Sequence, residues 1–136
     1  MGLGKIRTCL ICEEAREEKY RKFSLLGVYG IAPTNILMQN IPGQIDRLTF
    51  VFFGGPSSGQ TKIRFKILRP DGSSLIELPP SNIELPKQEA LYNLIITASS
   101  IRFENSGDYK FELLVDDQSW FSSAIRVDKG DPEAFR

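Results

Sequence analysis

Asn105-Ser106-Gly107-Asp108-Tyr109-Lys110-Phe111-Glu112-Leu113-Leu114-Val115 decides how this chain folds. A polar turn leads straight into alternation. Tyr109, Phe111, Leu113 and Val115 fall on one face; Asp108, Lys110, Glu112 and Asp116 fall on the other. A period of two marks a strand with one dry face and one wet face. The same pattern recurs outward in both directions. Ile63, Phe65 and Ile67 alternate with Lys62, Arg64 and Lys66. Arg69-Pro70-Asp71-Gly72 is a turn, and residues 74–78 answer it as a hairpin partner. Residues 47–53 are apolar on both faces, as a central strand is. Residues 6–12, 23–31, 36–38, 91–98 and 120–127 complete the set. Ile101 and Phe103 are placed under the corner that precedes Tyr109. The prolines at 79, 80 and 86 hold a crossing loop, and residues 54–59 read as a flexible glycine-rich loop.

The chain has 136 residues, enough for one domain and a full core without disulfides or metal. Residues 1–128 read as a single β-sandwich domain and 129–136 as a polar tail. Seventeen basic and seventeen acidic residues cancel, so no global field draws nucleic acid. No apolar run reaches membrane-spanning length. The apolar run at residues 8–12 is too short for a secretory signal, which predicts a cytoplasmic protein with reduced thiols. Histidine is absent, which removes Ser-His and Cys-His nucleophile pairs and the commonest metal ligand.

Gly107 two residues before Tyr109 resembles the tyrosine corner of immunoglobulin-like sandwiches, with Phe111 where an antibody domain carries its second cysteine. The resemblance implies an all-β, antiparallel, immunoglobulin-like β-sandwich of about seven to nine strands, the number such folds need. At most one short helix is expected, within the charged block 13–22; a solvated connector fits that block equally. The predicted core is Leu10 or Ile11, Leu26, Val28, Phe50, Phe52, Ile63, Phe65, Ile67, Leu94, Ile96, Tyr109, Phe111, Leu113, Ile125 and Val127. The same topology sets residues 61–68 beside 107–116, so the basic row Lys62, Arg64, Lys66 faces Asp108, Glu112 and Asp116.

Cys12-Glu13-x-x-Arg16-Glu17, then Lys22-x-Ser24-Leu25-x-Gly27-Val28-Tyr29-Gly30, resembles the opening of a family of small uncharacterised bacterial proteins. That family begins with Cys-Glu-x-x-Arg and a Leu-x-Gly-Val-Tyr strand and ends with a Gly-x-Tyr-x-Phe strand. The resemblance implies a bacterial source and a compact β-rich domain, and it carries no activity.

Cys9-Leu10-Ile11-Cys12 has the spacing of a redox or zinc motif. Within a strand, however, residues three apart face opposite sides, so the thiols read as small buried hydrophobes. Glu13, Arg16 and Glu17 form the most suggestive polar cluster. If the block is helical they share a face and, with Tyr29, offer carboxylates and a guanidinium to a ligand. The plainer alternative is an ion pair pinning a connector to the sandwich. Trp120 faces outward, either as a partner anchor or as a cover for a neighbouring segment.

No cofactor and no metal are called for. The leading expectation is a non-enzymatic interaction or accessory module with a protein partner, binding neither nucleic acid nor membrane. A small-ligand binder or enzyme using the Glu/Arg cluster is the alternative, and a self-assembling structural subunit is the third. The oligomeric state stays open.

Overall fold

The computed structural model describes residues 2–131 of the chain. Among these residues ten strands run in order: β1 (Ile6–Glu17), β2 (Phe23–Ile31), β3 (Thr34–Met38), β4 (Gly43–Ser57), β5 (Gln60–Leu68), β6 (Ser74–Glu77), β7 (Ser81–Glu84), β8 (Ala90–Phe103), β9 (Gly107–Val115) and β10 (Gln118–Lys129). They form two sheets. The first has the order β2-β1-β4-β8, and the second β3-β10-β9-β5-β6, with β7 also beside β5. The two are not closed into a barrel, and the fold is a β-sandwich. Among the described residues no helix is long and apolar enough to cross a membrane.

The core lies where the alternation puts it. Phe50 and Phe52 of β4 meet Phe65 of β5 and Phe111 of β9 across the sandwich, with ring centroids 4.7 Å apart for Phe50–Phe65 and 4.9 Å for Phe50–Phe111. Phe121 of β10 closes the cluster edge-on to Phe52 at 5.8 Å. The corner before β9 takes the expected form. Tyr109 is buried, its hydroxyl donates to the Asn105 carbonyl at 2.6 Å, and its ring stands edge-on to Phe103. At Gly107 the backbone sits at φ +149 and a Cβ would come within 2.7 Å of the Pro70 ring, so glycine is required.

β5 and β9 are neighbours, as expected, and Lys66 stands opposite Glu112 with their charged groups 3.4 Å apart. Arg64 is satisfied differently, and of Lys62 it is the backbone N–H that reaches Asp116, at 3.1 Å. Arg64 faces Leu114, so it reaches instead to Glu77 on β6 at 2.9 Å and to Asp117 at 3.4 Å. Asp108 pairs with Arg126 of β10.

Several expectations are corrected. Within the block 13–22, residues 13–17 extend β1 instead of forming a helix or connector, and the short helical element expected there is confined to a 3-10 turn at Lys19–Arg21. Cross-strand pairing with β2 outweighs the favourable helical charge spacing. Residues 54–57 are not loop but the last part of β4, paired to β8 through Pro56 and Ser57. The crossing loop contains β7. One pairing, β3 with β10, is parallel, so the second sheet is mixed. Leu26 and Val28 are not core: they are 40% and 52% exposed. They stand opposite Glu14 and Cys12 on the outer face, because β2 bends at Gly27 (φ +61) and carries Tyr29 as an extra residue between its pairings with Cys12 and Ile11. The remaining predicted core residues, with Ile11 rather than Leu10, are buried. β10 runs to Lys129, one residue into the expected tail, and residues 132–136 of that tail lie outside the described residues.

Candidate functional site

β1 pairs with β4 only as far as Cys12–Thr49, although it continues with β2 to Glu17. Beyond that point the β1–β2 hairpin bends away. Its tip residues Glu17, Glu18, Lys22 and Phe23 share a cavity with Leu91, Tyr92 and Asn93 of β8, so the hairpin crosses to the opposite edge of the first sheet. This explains why Cys12, Thr49 and Val51, which point away from the phenylalanine core, are nonetheless sealed. Thr49 ties the two layers together. Its hydroxyl lies 3.1 Å from the Glu13 carbonyl, to which it donates, and 3.2 Å from the Thr97 hydroxyl.

The bend builds a cleft of about 410 Å³ lined by Glu13, Glu14, Tyr29, Ile45, Asp46, Arg47 and Ser99. Glu13 packs directly on Gly27, where a Cβ would lie 2.6 Å from its carboxyl carbon. The Cys-Glu and Gly-Val-Tyr motifs are therefore the two sides of one hinge. Burial first, and then the neighbouring Glu13 carboxylate, push the Tyr29 phenol up. Across the cleft Arg47 pairs with Glu14 at 3.0 Å, and Arg16 approaches the same carboxylate at 3.3 Å from outside. A second cavity of about 320 Å³ shares Tyr29 and Ile45 and runs on past Met38 and Gln44.

The structure thus joins Glu13 and Tyr29 and separates the rest. Arg16 is an exposed member of an ion pair outside the cleft. Glu17 lies in the other cavity, at the hairpin tip. Strand geometry is the cause: residues 13 and 16 fall on opposite faces when the block is extended, and Glu17 lies about 13 Å further along the strand than Glu13. Trp120 is a cover. Its indole N–H donates to the Gly4 carbonyl at 2.9 Å and holds the segment carrying the buried Leu3 against the sandwich. Glu14, Asp46 and Arg47 were missed. No local pattern joins residues 14 and 47; their meeting depends on the bend.

The two cysteines are free and buried. Cys9 belongs to the core, and burial pushes its thiol up to about 12, with Cys12 adding to the effect. Burial also raises the Cys12 thiol, which faces away from that core and donates to the Glu14 carbonyl. Neither thiol is poised as a nucleophile. Among the described residues no three Cys, Asp or Glu side chains converge as metal ligands.

A β-sandwich with a hinged hairpin on its outer face defines the class. Residues 7–128 match a family of unknown function, DUF6941, and the chain belongs to that family. No curated protein matches the chain.

Proposed function

We propose that the protein is a non-enzymatic interaction module of the bacterial cytoplasm, with immunoglobulin-like sheets, that holds a protein partner at the hinge of its β1–β2 hairpin. One observation carries this reading. Leu26, Val28 and Ile31 stand on the outer face of edge strand β2, 40%, 52% and 61% exposed, on the same strand that carries Tyr29 into the cleft. Exposed apolar side chains grouped next to polar ones are how a partner surface is composed. The protonation shifts agree: burial moves Tyr29 and both thiols away from the range in which a base or nucleophile works at neutral pH. The immunoglobulin-like label rests on the tyrosine corner and on the run β10-β9-β5 with β3 parallel to β10.

The test is cross-linked capture from a bacterial lysate with the wild type and with Val28→Asp/Ile31→Asp. Both side chains are exposed, so the variant folds, which circular dichroism verifies. A protein retained by the wild type and lost by the variant supports the reading. Capture that the variant leaves unchanged, or no captured protein, removes it.

A second reading, a small-ligand site, is favoured by the size of the cleft, within the range of ligand pockets. Glu13 and Asp46, without ion pairs among the described residues, suit a small cationic ligand. A thermal-shift screen of polyamines and guanidinium compounds decides it: no stabilisation at millimolar concentration ends this reading.

A further inference from the structure

β8 is the outermost strand of the first sheet and spans Ala90–Phe103. Its far side has no strand partner, and no other backbone group hydrogen-bonds there among the described residues. Sheet edges are normally protected by charge, proline, short length or a bulge. The other edges follow that rule: β3, β6 and β7 have five, four and four residues, and β2 is bent at Gly27 and bulged at Tyr29. Residues 90–99 of β8 contain neither a charge nor a proline.

A groove runs along this bare edge. Residues 94–97 form one wall of a cavity of about 290 Å³, opposite Leu78, Pro79 and Ile83, with Ile63 and Phe65 beneath. Residues 91–93 continue into the cavity of about 630 Å³ under the hairpin tip. Glu17, Glu18 and Glu84 line that end against the single cation Lys22, and none of the three carboxylates has an ion pair among the described residues. The groove is therefore acidic at one end and apolar at the other, with an unpaired strand as its wall.

We infer that residues 91–97 of β8 accept an extended partner peptide as an added strand, with its basic side chains at Glu17, Glu18 and Glu84 and its alternate apolar side chains against Leu78, Pro79 and Ile83. Backbone hydrogen bonds along an edge supply affinity in this mode, and pockets for alternate side chains supply selectivity. The occupant is an extended basic segment, because the bare edge of β8 offers unpaired backbone groups and the cavity at its Leu91 end is lined by Glu17, Glu18 and Glu84. The inference rests on the reading of the chain as an interaction module, but it uses a surface apart from the hinge.

The probes are two fluorescein-labelled peptides, Lys-Arg-Val-Thr-Val-Thr-Val and its reverse order, which present the same side chains to a parallel and an antiparallel strand. Saturable binding to the full chain is expected by anisotropy for at least one order. The same peptide N-methylated at alternate amides, or with Glu-Glu for Lys-Arg, should bind at least tenfold more weakly. Glu17→Lys/Glu84→Lys, both at exposed positions, should reverse the preference between the basic and acidic peptides. Hydrogen exchange should slow at residues 91–97. No binding to either peptide, equal binding of the N-methylated form, or protection elsewhere overturns the inference. So does a concentration-dependent dimer that already protects 91–97, which assigns the edge to a second copy. Slowed exchange at 91–97 with no effect of Val28→Asp/Ile31→Asp leaves the edge in place and removes only the hinge as the contact surface.

Discussion

Replacing Tyr109 by Phe isolates one hydrogen bond in the molecule. The ring stays, edge-on to Phe103 at 4.9 Å; only the hydroxyl that donates to the Asn105 carbonyl at 2.6 Å is lost. An intramolecular hydrogen bond contributes about 0.5–1.5 kcal/mol net, and a deserted acceptor sealed from water costs about 1–3 kcal/mol. Asn105 belongs to an exposed turn, so water can replace the donor. The expected loss is therefore about 1 kcal/mol, in the lower range for a broken hydrogen bond. For a chain of this size that lowers Tm by about 3–5 °C. With a urea m-value of about 1.5 kcal/mol/M the midpoint falls by roughly 0.7 M, and m itself stays constant. Tyr109→Ala removes the ring as well and should cost about 3–5 kcal/mol, as loss of a buried aromatic does. The gap between the two variants separates clamp from packing. If Tyr109→Phe unfolds within about 0.2 kcal/mol of the wild type, well under the usual value of such a bond, the corner contributes shape and not energy.

Phe111→Ala empties the centre of a cluster formed with Phe50, Phe52, Phe65 and Phe121, and should cost about 3–5 kcal/mol in urea unfolding. A loss under about 1 kcal/mol contradicts its place in the core. Gly27→Ala meets both a left-handed backbone and the Glu13 side chain, and should destabilise by about 1–2 kcal/mol. Gly72→Ala has φ +90 but open space around it, so its thermal loss should be the smaller; equal losses at the two sites show that Glu13 yields freely. Cys9 titrates at about 12 in the fold and at 9.0 when unperturbed. The unfolded chain thus releases this proton first. Its contribution to stability is complete below pH 9 and is lost from there up to about pH 12. In that window the slope approaches about −1.4 kcal/mol per pH unit for one group, and Cys9→Ala should flatten the stability profile by this amount. An unchanged slope means that the thiol is not withheld from water.

Much of the sandwich was legible because alternation is a local signal. Lys62 to Ile67 and Tyr109 to Val115 carry their own face assignments, and the Gly107–Tyr109 spacing carried the corner. What failed was set by partners distant in sequence. Residues 13–22 have helical charge spacing, yet the residues opposite Glu14 to Glu17, Leu26 to Phe23, hold that stretch extended. Leu26 and Val28 look like core by composition, but a positive φ at Gly27 and the extra residue Tyr29 turn β2 at the sheet edge. Gly54 and Gly55 mimic a loop because nothing local shows that Tyr92 and Lys5 pack against them. The cleft suffered most: Glu13 and Tyr29 were found through a motif, whereas Arg47 and Asp46 arrive from β4 only after the hairpin bends.

The parallel pair of β3 and β10 joins Thr34 to Ile125 and Met38 to Lys129. On the ribosome this contact waits until residues 125–129 have emerged, long after β1, β2 and β4 can pair with one another. Phe50 and Phe52 must meanwhile face water or a chaperone, because Phe65, Phe111 and Phe121 follow them in synthesis. Closure of long-range strand pairs is slow. The nascent first sheet is thus an aromatic surface awaiting its second half, and the interval before β9 and β10 appear is when this chain is most open to aggregation in the cell.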